Sequence, residues 1–478
     1  MGFNVIGRSE EKKILLDVIH SAEPELVAVY GRRRVGKTYL IRNFLEKQLI
    51  FEFSGVHNAS LNQQLENFSQ AMTKATGSKM PLAKPKNWQE AFKLLIDYTT
   101  PCIKKGKKVI FFDEFPWIST PKSGFTQAFE FFWNHWASRQ KNLAVIICGS
   151  AAAWMISNII NNKGGLHNRV TKRIRLLPFD LQETELFLKD RKINLDRYQI
   201  LQLYMAMGGI PHYLKEIKKR ESATQSIDNI CFSKNGLLNE EFNNLFNSLF
   251  DDAGSHKLVI KALANKGKGL TRKEIIETCK LTTGGGTTKL LDELIESGFI
   301  SSYIPFGKNS KDAVYKLSDE YTLFYLKFIE HGRANGKGTW VKLSREAKWK
   351  SWSGIAFESI CLKHTKQIKK ALGIEGVYTE TSGWRNHLQK DEKGAQIDLL
   401  IDRQDFCINI CEMKFSSNEF IVEKKYADEL ENKVSVFKRQ TKTTKTIFLT
   451  LVTTFGIKHN AYAAKFIQND IKMDALFT

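Results

Sequence analysis

No run of this chain reaches the roughly 18 uninterrupted apolar residues that a membrane-spanning helix needs. The longest candidate, Ala144 to Ile156, is broken by Gly149 and Ser150, so no membrane partner is expected. The N-terminal stretch MGFNVIGRSEEKK lacks the basic-then-apolar layout of a secretion signal. Ile6 also stands where a myristoylation pattern needs Ser or Thr. Cysteine is sparse: 7 residues in 478, scattered, with no CxxC pair matched by a second. A disulfide framework is not expected, and a reducing cytoplasm is. Cys407 and Cys411 lie in an apolar run and read as core rather than as ligands. Acidic charge is also in short supply. Against 72 Lys and Arg stand 51 Asp and Glu, a net charge of +21. Such an excess attracts polyanions and makes nucleic acid a candidate partner without identifying one.

What is present suffices for real cores, with 42% hydrophobic and 26% charged residues. At roughly 150 residues per domain, the length suggests about three domains. Glu25 to Tyr30 (ELVAVY) has the length and β-branched content of a buried parallel strand. It runs straight into Gly31, Arg32, Arg33, Arg34, Val35, Gly36, Lys37 and Thr38, and residues 39–45 read as a helix. Strand, glycine loop, helix is the setting of the Walker A phosphate-binding loop. The two glycines let backbone N–H groups curl toward a β-phosphate. Lys37 reaches the β- and γ-phosphates, and Thr38 offers its hydroxyl to Mg2+. A second apolar strand, 107–112, delivers Asp113 for the metal's water shell and Glu114 to polarise an attacking water. A third, 143–148, leads to Ser150, placed to sense the γ-phosphate. All three converge where ligands of open parallel sheets bind, at the strands' carboxyl ends. ATP and Mg2+ are the cofactors this set implies.

Five segments together resemble the archaeal-type ATPase family of the AAA+/STAND group of P-loop proteins. They are Gly7-Arg8-Ser9-Glu10, VYGRRRVGKT, FFDEFPW (111–117), ICGSAAAWM (147–155) and GGIPHYL (208–214). The resemblance implies that Pro211, in the helical region after the core, approaches the nucleotide. It also implies a Gly-Arg before the strand that leads to a Leu-x-Pro-Phe segment. Here Asn168-Arg169 precedes Leu176-Leu-Pro-Phe179. Arg169 is therefore carried over either as a contact to a phosphate or neighbouring subunit, or as a solvated surface charge.

From Gly254 the texture changes to short helices between turn residues. Residues 257–264 read as one helix, and Thr271 caps a second, with Glu274 completing a capping box. A third, 287–296, carries Leu290, Leu291, Leu294 and Ile295 on one face. Strands at 299–305 and 313–317 flank a turn at 307–310. This is the winged helix-turn-helix layout. Lys289, Lys308 and Lys311 suit DNA phosphates, but the third helix is acidic at Asp292, Glu293 and Glu296 and poor in base-reading side chains. A lid element or nonspecific DNA contact is the expectation.

A basic stretch, 342–350, leads into a helix opening at Trp352 that carries Glu358. Residues 394–401 and 406–415 read as a hairpin around the polar 402–405. Pairing across it puts Asp398 opposite residues 410–412, and the two-residue period sets Glu412 and Lys414 on the same face. Two carboxylates and a lysine suit metal-assisted phosphodiester hydrolysis, the acids holding Mg2+ and the lysine serving the attacking water. The arrangement resembles the restriction-endonuclease-like superfamily, named for its PD-(D/E)XK signature, with Ile397 where the proline would stand. The resemblance implies Glu358 as the acid of the first helix, joining Asp398 and Glu412 as metal ligands, with Lys414 catalytic. His364, His387 and His459 lack companions at ligand spacing and read as surface or structural.

The expected fold is thus α/β: a P-loop NTPase parallel sheet (1–180), a helical lid (181–253), a winged-helix module (254–320), a linker (321–345) and an α/β restriction-endonuclease-like domain (346–478). The expected function is an ATP-binding and ATP-hydrolysing switch coupled to a metal-dependent, nucleic-acid-directed nuclease-like domain. DNA is expected before RNA, alongside a homo-oligomer or a partner protein. The competing reading is an ATP-controlled DNA- or partner-binding regulator whose C-terminal domain is noncatalytic.

Overall fold

Three uninterrupted apolar runs form the middle of the first sheet in the computed structural model, which describes residues 5–120, 122–161, 164–250, 252–330, 336–386 and 394–478. Its strands are β1 (Glu25–Tyr30), β2 (Leu49–Ser54), β3 (Lys108–Asp113), β4 (Leu143–Gly149) and β5 (Lys172–Arg175). All pair in parallel, in the order β2-β3-β4-β1-β5. β4 is buried along its whole length, as a parallel strand covered on both faces must be. Alternate residues of β2 and β3 turn Phe51, Phe53 and Phe112 to one face, where helices Leu61–Thr76, Trp88–Cys102 and Phe125–His135 add further rings. Trp88 lies 4.8 Å from Phe125 and Phe92 lies 4.9 Å from Phe132, centre to centre. Such pairs add to the burial energy of the rings themselves. Trp133 is buried in this core and Trp136 packs against it.

The chain divides into two compact units. The first runs to residue 178 and takes in 247–251 and 292–298; the second holds 179–246, 252–291 and 299–478. The second opens with helix Leu181–Asp190, whose first turn is fixed by a capping box between Asp180 and Glu183. Farther on come helices Ala253–Asn265, Arg272–Cys279 and Gly285–Glu296. The Thr271–Glu274 capping box forms at the start of Arg272–Cys279. A small antiparallel sheet accompanies them: β6 (Leu270–Thr271), β7 (Ile300–Tyr303) and β8 (Val314–Leu317), in the order β6-β8-β7.

Residues 321–330 and 336–345 are not the linker expected. Glu320–Phe324 and Tyr325–Ile329 are helical, as is Thr339–Leu343, and Tyr321, Phe324, Phe328 and Trp340 are buried. The Asp228 carboxylate accepts from the N–H groups of Gly338 (2.6 Å) and Trp340 (2.7 Å). Burying these rings outweighs leaving the segment solvated.

The C-terminal sheet is mixed. It consists of β9 (Thr379–Arg385), β10 (Gln396–Arg403), β11 (Cys407–Lys414), β13 (Thr446–Thr453) and β15 (Asn469–Lys472), while β12 (Phe420–Ile421) pairs separately with β14 (Ile457–Lys458). β9, β10 and β11 run antiparallel; β11, β13 and β15 run parallel. Helices Ala347–Lys363 and Lys424–Thr441 belong to the same unit.

His364, just after Ala347–Lys363, is a structural histidine, 1% exposed. Its Nε2 accepts the Leu181 N–H at 3.1 Å, and its Nδ1 bonds the Ile360 carbonyl at 2.8 Å. That pairing requires a neutral ring with the proton on Nδ1. Burial pushes its pKa below the ordinary histidine value, against the opposing bond to Ile360. The unfolded chain therefore takes up the proton first. The ring's contribution is complete above about pH 6.5 and is lost as pH falls below it. His364→Leu should cost about 1–3 kcal/mol at pH 7 by orphaning the Leu181 N–H. It should also flatten the decline in melting temperature from pH 7 to 5; parallel declines in the two proteins would contradict this. His459 is exposed, and His387 lies outside the described residues.

Candidate functional site

β1 delivers the chain to Gly31, whose φ is 142° and where a Cβ would lie 2.3 Å from the Leu176 carbonyl oxygen. Only glycine fits so close an approach. The loop turns through Arg34 (φ 71°) and Gly36 (φ 93°) into helix Lys37–Phe44. Lys37 Nζ donates to the carbonyls of Gly31 (2.8 Å) and Arg32 (2.9 Å) and to Ser150 Oγ (3.2 Å). The Thr38 hydroxyl donates to Asp113 Oδ2 at 2.7 Å. Glu114 is left-handed, at φ 47°. Its carboxylate accepts the Ser150 hydroxyl at 2.6 Å and the Ser150 N–H at 3.2 Å. The ends of β1, β3 and β4 thus bring Lys37, Thr38, Asp113, Glu114 and Ser150 into one hydrogen-bonded array.

Asp113 is buried, and burial raises its pKa above the ordinary carboxylate value; the Thr38 bond opposes that and the charge of Glu114 adds to it. Its charge would therefore be stabilised by a cation. A threonine hydroxyl and a carboxylate side by side are hard oxygen donors of the kind Mg2+ takes, together with water. The pair fits that ion. Burial, then the nearby Asp113, pushes the neighbouring Cys148 thiol well above its ordinary range, which makes it unreactive.

Around this array, the structure gives Arg8 a role that the sequence did not suggest. It is 4% exposed and donates to the carbonyls of Val35 (3.0 Å) and Leu177 (2.7 Å). The loop is thereby pegged to the chain's first turn. No sequence signal separates a buried arginine from a solvated one. Arg32 and Val35 are buried, and the Arg33 guanidinium lies 5.3 Å from the Trp117 ring centre, a cation–π arrangement. Arg169 is exposed, in a turn that Asn168 enters at φ 53°.

Pro211 opens helix Pro211–Leu214 in the second unit. Just before it, a Cβ on Gly209 would lie 1.8 Å from the Phe179 carbonyl oxygen. Phe179 N–H donates to the Gly209 carbonyl at 2.7 Å, and the Tyr204 hydroxyl donates to the Phe179 carbonyl at 2.8 Å. Two segments read separately, Leu176-Leu-Pro-Phe179 and Gly208-Gly-Ile-Pro211, meet in one joint.

In the C-terminal sheet, β10 and β11 pair Leu399 with Cys411 and Leu400 with Ile410, so the next position sets Asp398 against Glu412. On the other side, pairing with β9 shifts between Ile397 and Leu400, leaving Asp398 and Leu399 opposite Gly383 alone. Bulges of this kind re-aim a side chain. Asp398 accepts from Gln396 Nε2 at 2.5 Å. Glu412 accepts from Lys433 at 2.6 Å and from the Tyr426 hydroxyl at 3.4 Å. The Lys414 ammonium lies 4.6 Å from the Tyr426 ring centre. Glu358 is ion-paired to Lys316 of β8 at 3.0 Å. Burial raises the Glu358 pKa above the ordinary carboxylate value, and the charges of Asp398 and, more weakly, Glu412 raise it further against Lys316. Glu358 thus feels both of the other acids. Among the described residues, however, no group of three His, Cys, Asp or Glu side chains is arranged to hold a metal ion. Of the expected set of Glu358, Asp398 and Glu412, two carboxylates are paired with lysines, Glu358 with Lys316 and Glu412 with Lys433. Lys289, Lys308 and Lys311 are exposed.

A glycine loop between a parallel strand and a helix, meeting a strand-end acid at its threonine, defines a P-loop nucleotide-binding domain. Residues 6–217 match the family described as ATPase domains predominantly from Archaea, and this part of the chain is similar to an ATPase domain of that type. An uncharacterized protein of Methanocaldococcus jannaschii is 23% identical over 398 residues, covering 83% of each chain. An uncharacterized ATP-binding protein of the same organism is 25% identical over 291 residues, 51% of this chain and 79% of the relative. Among solved structures, the Walker-type ATPase of Pyrococcus abyssi aligns at 17% identity with a TM-score of 0.49, over 68% of this chain and 96% of that one. The ORC2 protein of Aeropyrum pernix aligns at 14% identity with a TM-score of 0.39, over 68% and 94%. Among the described residues no helix is long and apolar enough to cross a membrane.

Proposed function

We propose that this protein is an ATP-hydrolysing switch whose nucleotide state controls a nucleic-acid-directed C-terminal module of PD-(D/E)XK type. The observation that carries the reading is the array of Lys37, Thr38, Asp113, Glu114 and Ser150 at the strand ends. Thr38 and Asp113 would hold Mg2+, which would neutralise charge on the nucleotide's phosphates. Lys37 exchanges its carbonyl partners for phosphate oxygens, while the loop N–H groups and the helix N-terminus receive the remaining charge. Ser150 holds the Glu114 carboxylate, and Glu114 orients the attacking water. Pro211 is proposed to approach the nucleotide, and Arg169 to remain a solvated charge. Residues 254–320 act as a winged-helix module. Lys289, Lys308 and Lys311 offer it nonspecific phosphate contact, because Asp292 is exposed on the helix that would otherwise read bases. All seven cysteines are free, which suits the cytoplasm proposed for it.

In the C-terminal sheet, Asp398, Glu412 and Lys414 are proposed to carry phosphodiester cleavage, with DNA the preferred polymer. Incubation of DNA or RNA with Mg2+ or Mn2+, with and without ATP, should give cleavage that falls about 100-fold or more in Glu412→Ala and in Lys414→Ala. A second reading, a regulator with a noncatalytic C-terminal domain, draws on the lysine pairing of Glu358 and Glu412. It requires ATP-dependent nucleic-acid binding that leaves the polymer intact with every metal.

A further inference from the structure

We infer that Lys316 is a resident counter-ion that keeps the C-terminal carboxylates from taking a divalent metal, and that its withdrawal switches the cluster on. The inference rests on the nuclease-like reading of Asp398, Glu412 and Lys414. Lys316 does not come from the C-terminal sheet. It projects from β8, the second strand of the hairpin that follows helix Gly285–Glu296. Its side chain is 12% exposed and its ammonium lies 3.0 Å from Glu358. A lysine this deeply buried is rare unless acids hold it. Burial opposes its charge, but Glu358 and Asp398 outweigh that and hold its pKa above the ordinary lysine value. It thus answers to two of the three acids that the metal-site reading assigns as ligands. Its ammonium is a stand-in cation.

Two of the three carboxylates already hold a cation: Lys316 pairs with Glu358 and Lys433 with Glu412, while the Lys414 ammonium stands over the Tyr426 ring. Removing one ammonium leaves an uncompensated buried carboxylate, which a cation then stabilises strongly. Lys316 also has somewhere to go. A cavity of about 460 Å³ lined by Lys316, Glu358, Ser318, Leu323, Trp352 and Ile355 adjoins the pair. The lysine's flexible four-carbon stem borders that open space. Lys308 and Lys311 stand exposed on the connection between β7 and β8, so a polyanion bound there pulls on the strand that carries the plug.

The test is Mn2+ titration of the nucleotide-free full chain, read from loss of the free-ion electron paramagnetic resonance signal. Lys316→Gln keeps an N–H donor for Glu358 without the charge, and should bind Mn2+ at least about tenfold more tightly than the unaltered protein. Adding Asp398→Asn to Lys316→Gln should abolish the gain. Should Lys316→Gln fail to fold, Lys316→Met, which keeps the stem's volume without its charge, takes its place and must show the same gain. Equal affinity in the unaltered and substituted proteins, or a gain that survives Asp398→Asn, overturns the inference. Cleavage assays on the same proteins separate it from the nuclease reading. A gain in Mn2+ affinity without cleavage leaves the plug standing and removes the nuclease. Cleavage at the same rate with and without Lys316 does the reverse.

Discussion

Glu114→Gln should bind ATP as the unaltered protein does and hydrolyse it about 100- to 10,000-fold more slowly, the range for loss of a positioned base. Lys37→Ala should fail earlier, at binding. Its ammonium is the one side-chain cation at the centre of the array, donating to the Gly31 and Arg32 carbonyls and to Ser150. Each hydrogen bond from a charged group to phosphate is worth about 1.5–3 kcal/mol, so binding should weaken by at least about tenfold. A fluorescent ATP analogue measures the first quantity and phosphate release the second. The two variants must differ in which quantity they lose. Normal turnover in both would mean that the array of Lys37, Thr38, Asp113, Glu114 and Ser150 is not where ATP is cleaved.

The largest stability effect is expected from a single methyl group. In Gly209→Ala the new Cβ would sit 1.8 Å from the Phe179 carbonyl oxygen, a clash with backbone that no rotamer relieves. The same oxygen accepts the Tyr204 hydroxyl, and the Phe179 N–H bonds back to Gly209, so separating the two strands of chain breaks both bonds. The loss should be about 3 kcal/mol or more, visible as a lower midpoint in urea. Gly286→Ala is the control. It lies in helix Gly285–Glu296 with nothing within 4 Å of its added Cβ, and should be neutral or gain up to about 1 kcal/mol. Equal midpoints for the two variants would dissolve the proposed joint.

What could be read from the sequence is what the chain keeps local. The eight residues 31–38 hold the phosphate loop together with its strand and helix, and the acids of β3 follow an apolar run that can only be a buried strand. The register setting Asp398 against Glu412 follows from a short turn, since few pairings close it. Thr271 and Glu274 lie three apart, and their capping box forms. What stayed hidden depends on partners far along the chain. Lys316 meets Glu358 42 positions away, and Asp228 caps a turn 112 positions away at Trp340. Nothing in either neighbourhood announces its partner. The same distance accounts for the misread stretches 321–330 and 336–345. Their rings at Tyr321, Phe324, Phe328 and Trp340 are apolar enough to be buried, but only the fold supplies the surfaces that receive them. Arg8 and Arg169 look alike in sequence, and one is buried while the other is exposed.

β1 is made early and finished late. Its neighbours in the sheet are β4 and β5, so Val27 must wait for Ile146 on one side and Lys172 on the other. Gly31 then closes against Leu176. A chain leaving the ribosome carries the whole Walker sequence long before it has a formed phosphate loop, because such nonlocal parallel pairings are slow and must be complete first. A nascent chain halted before residue 172 would hold the motif without the pocket. The segment most legible in the sequence thus takes its final form only after Leu176 has joined it.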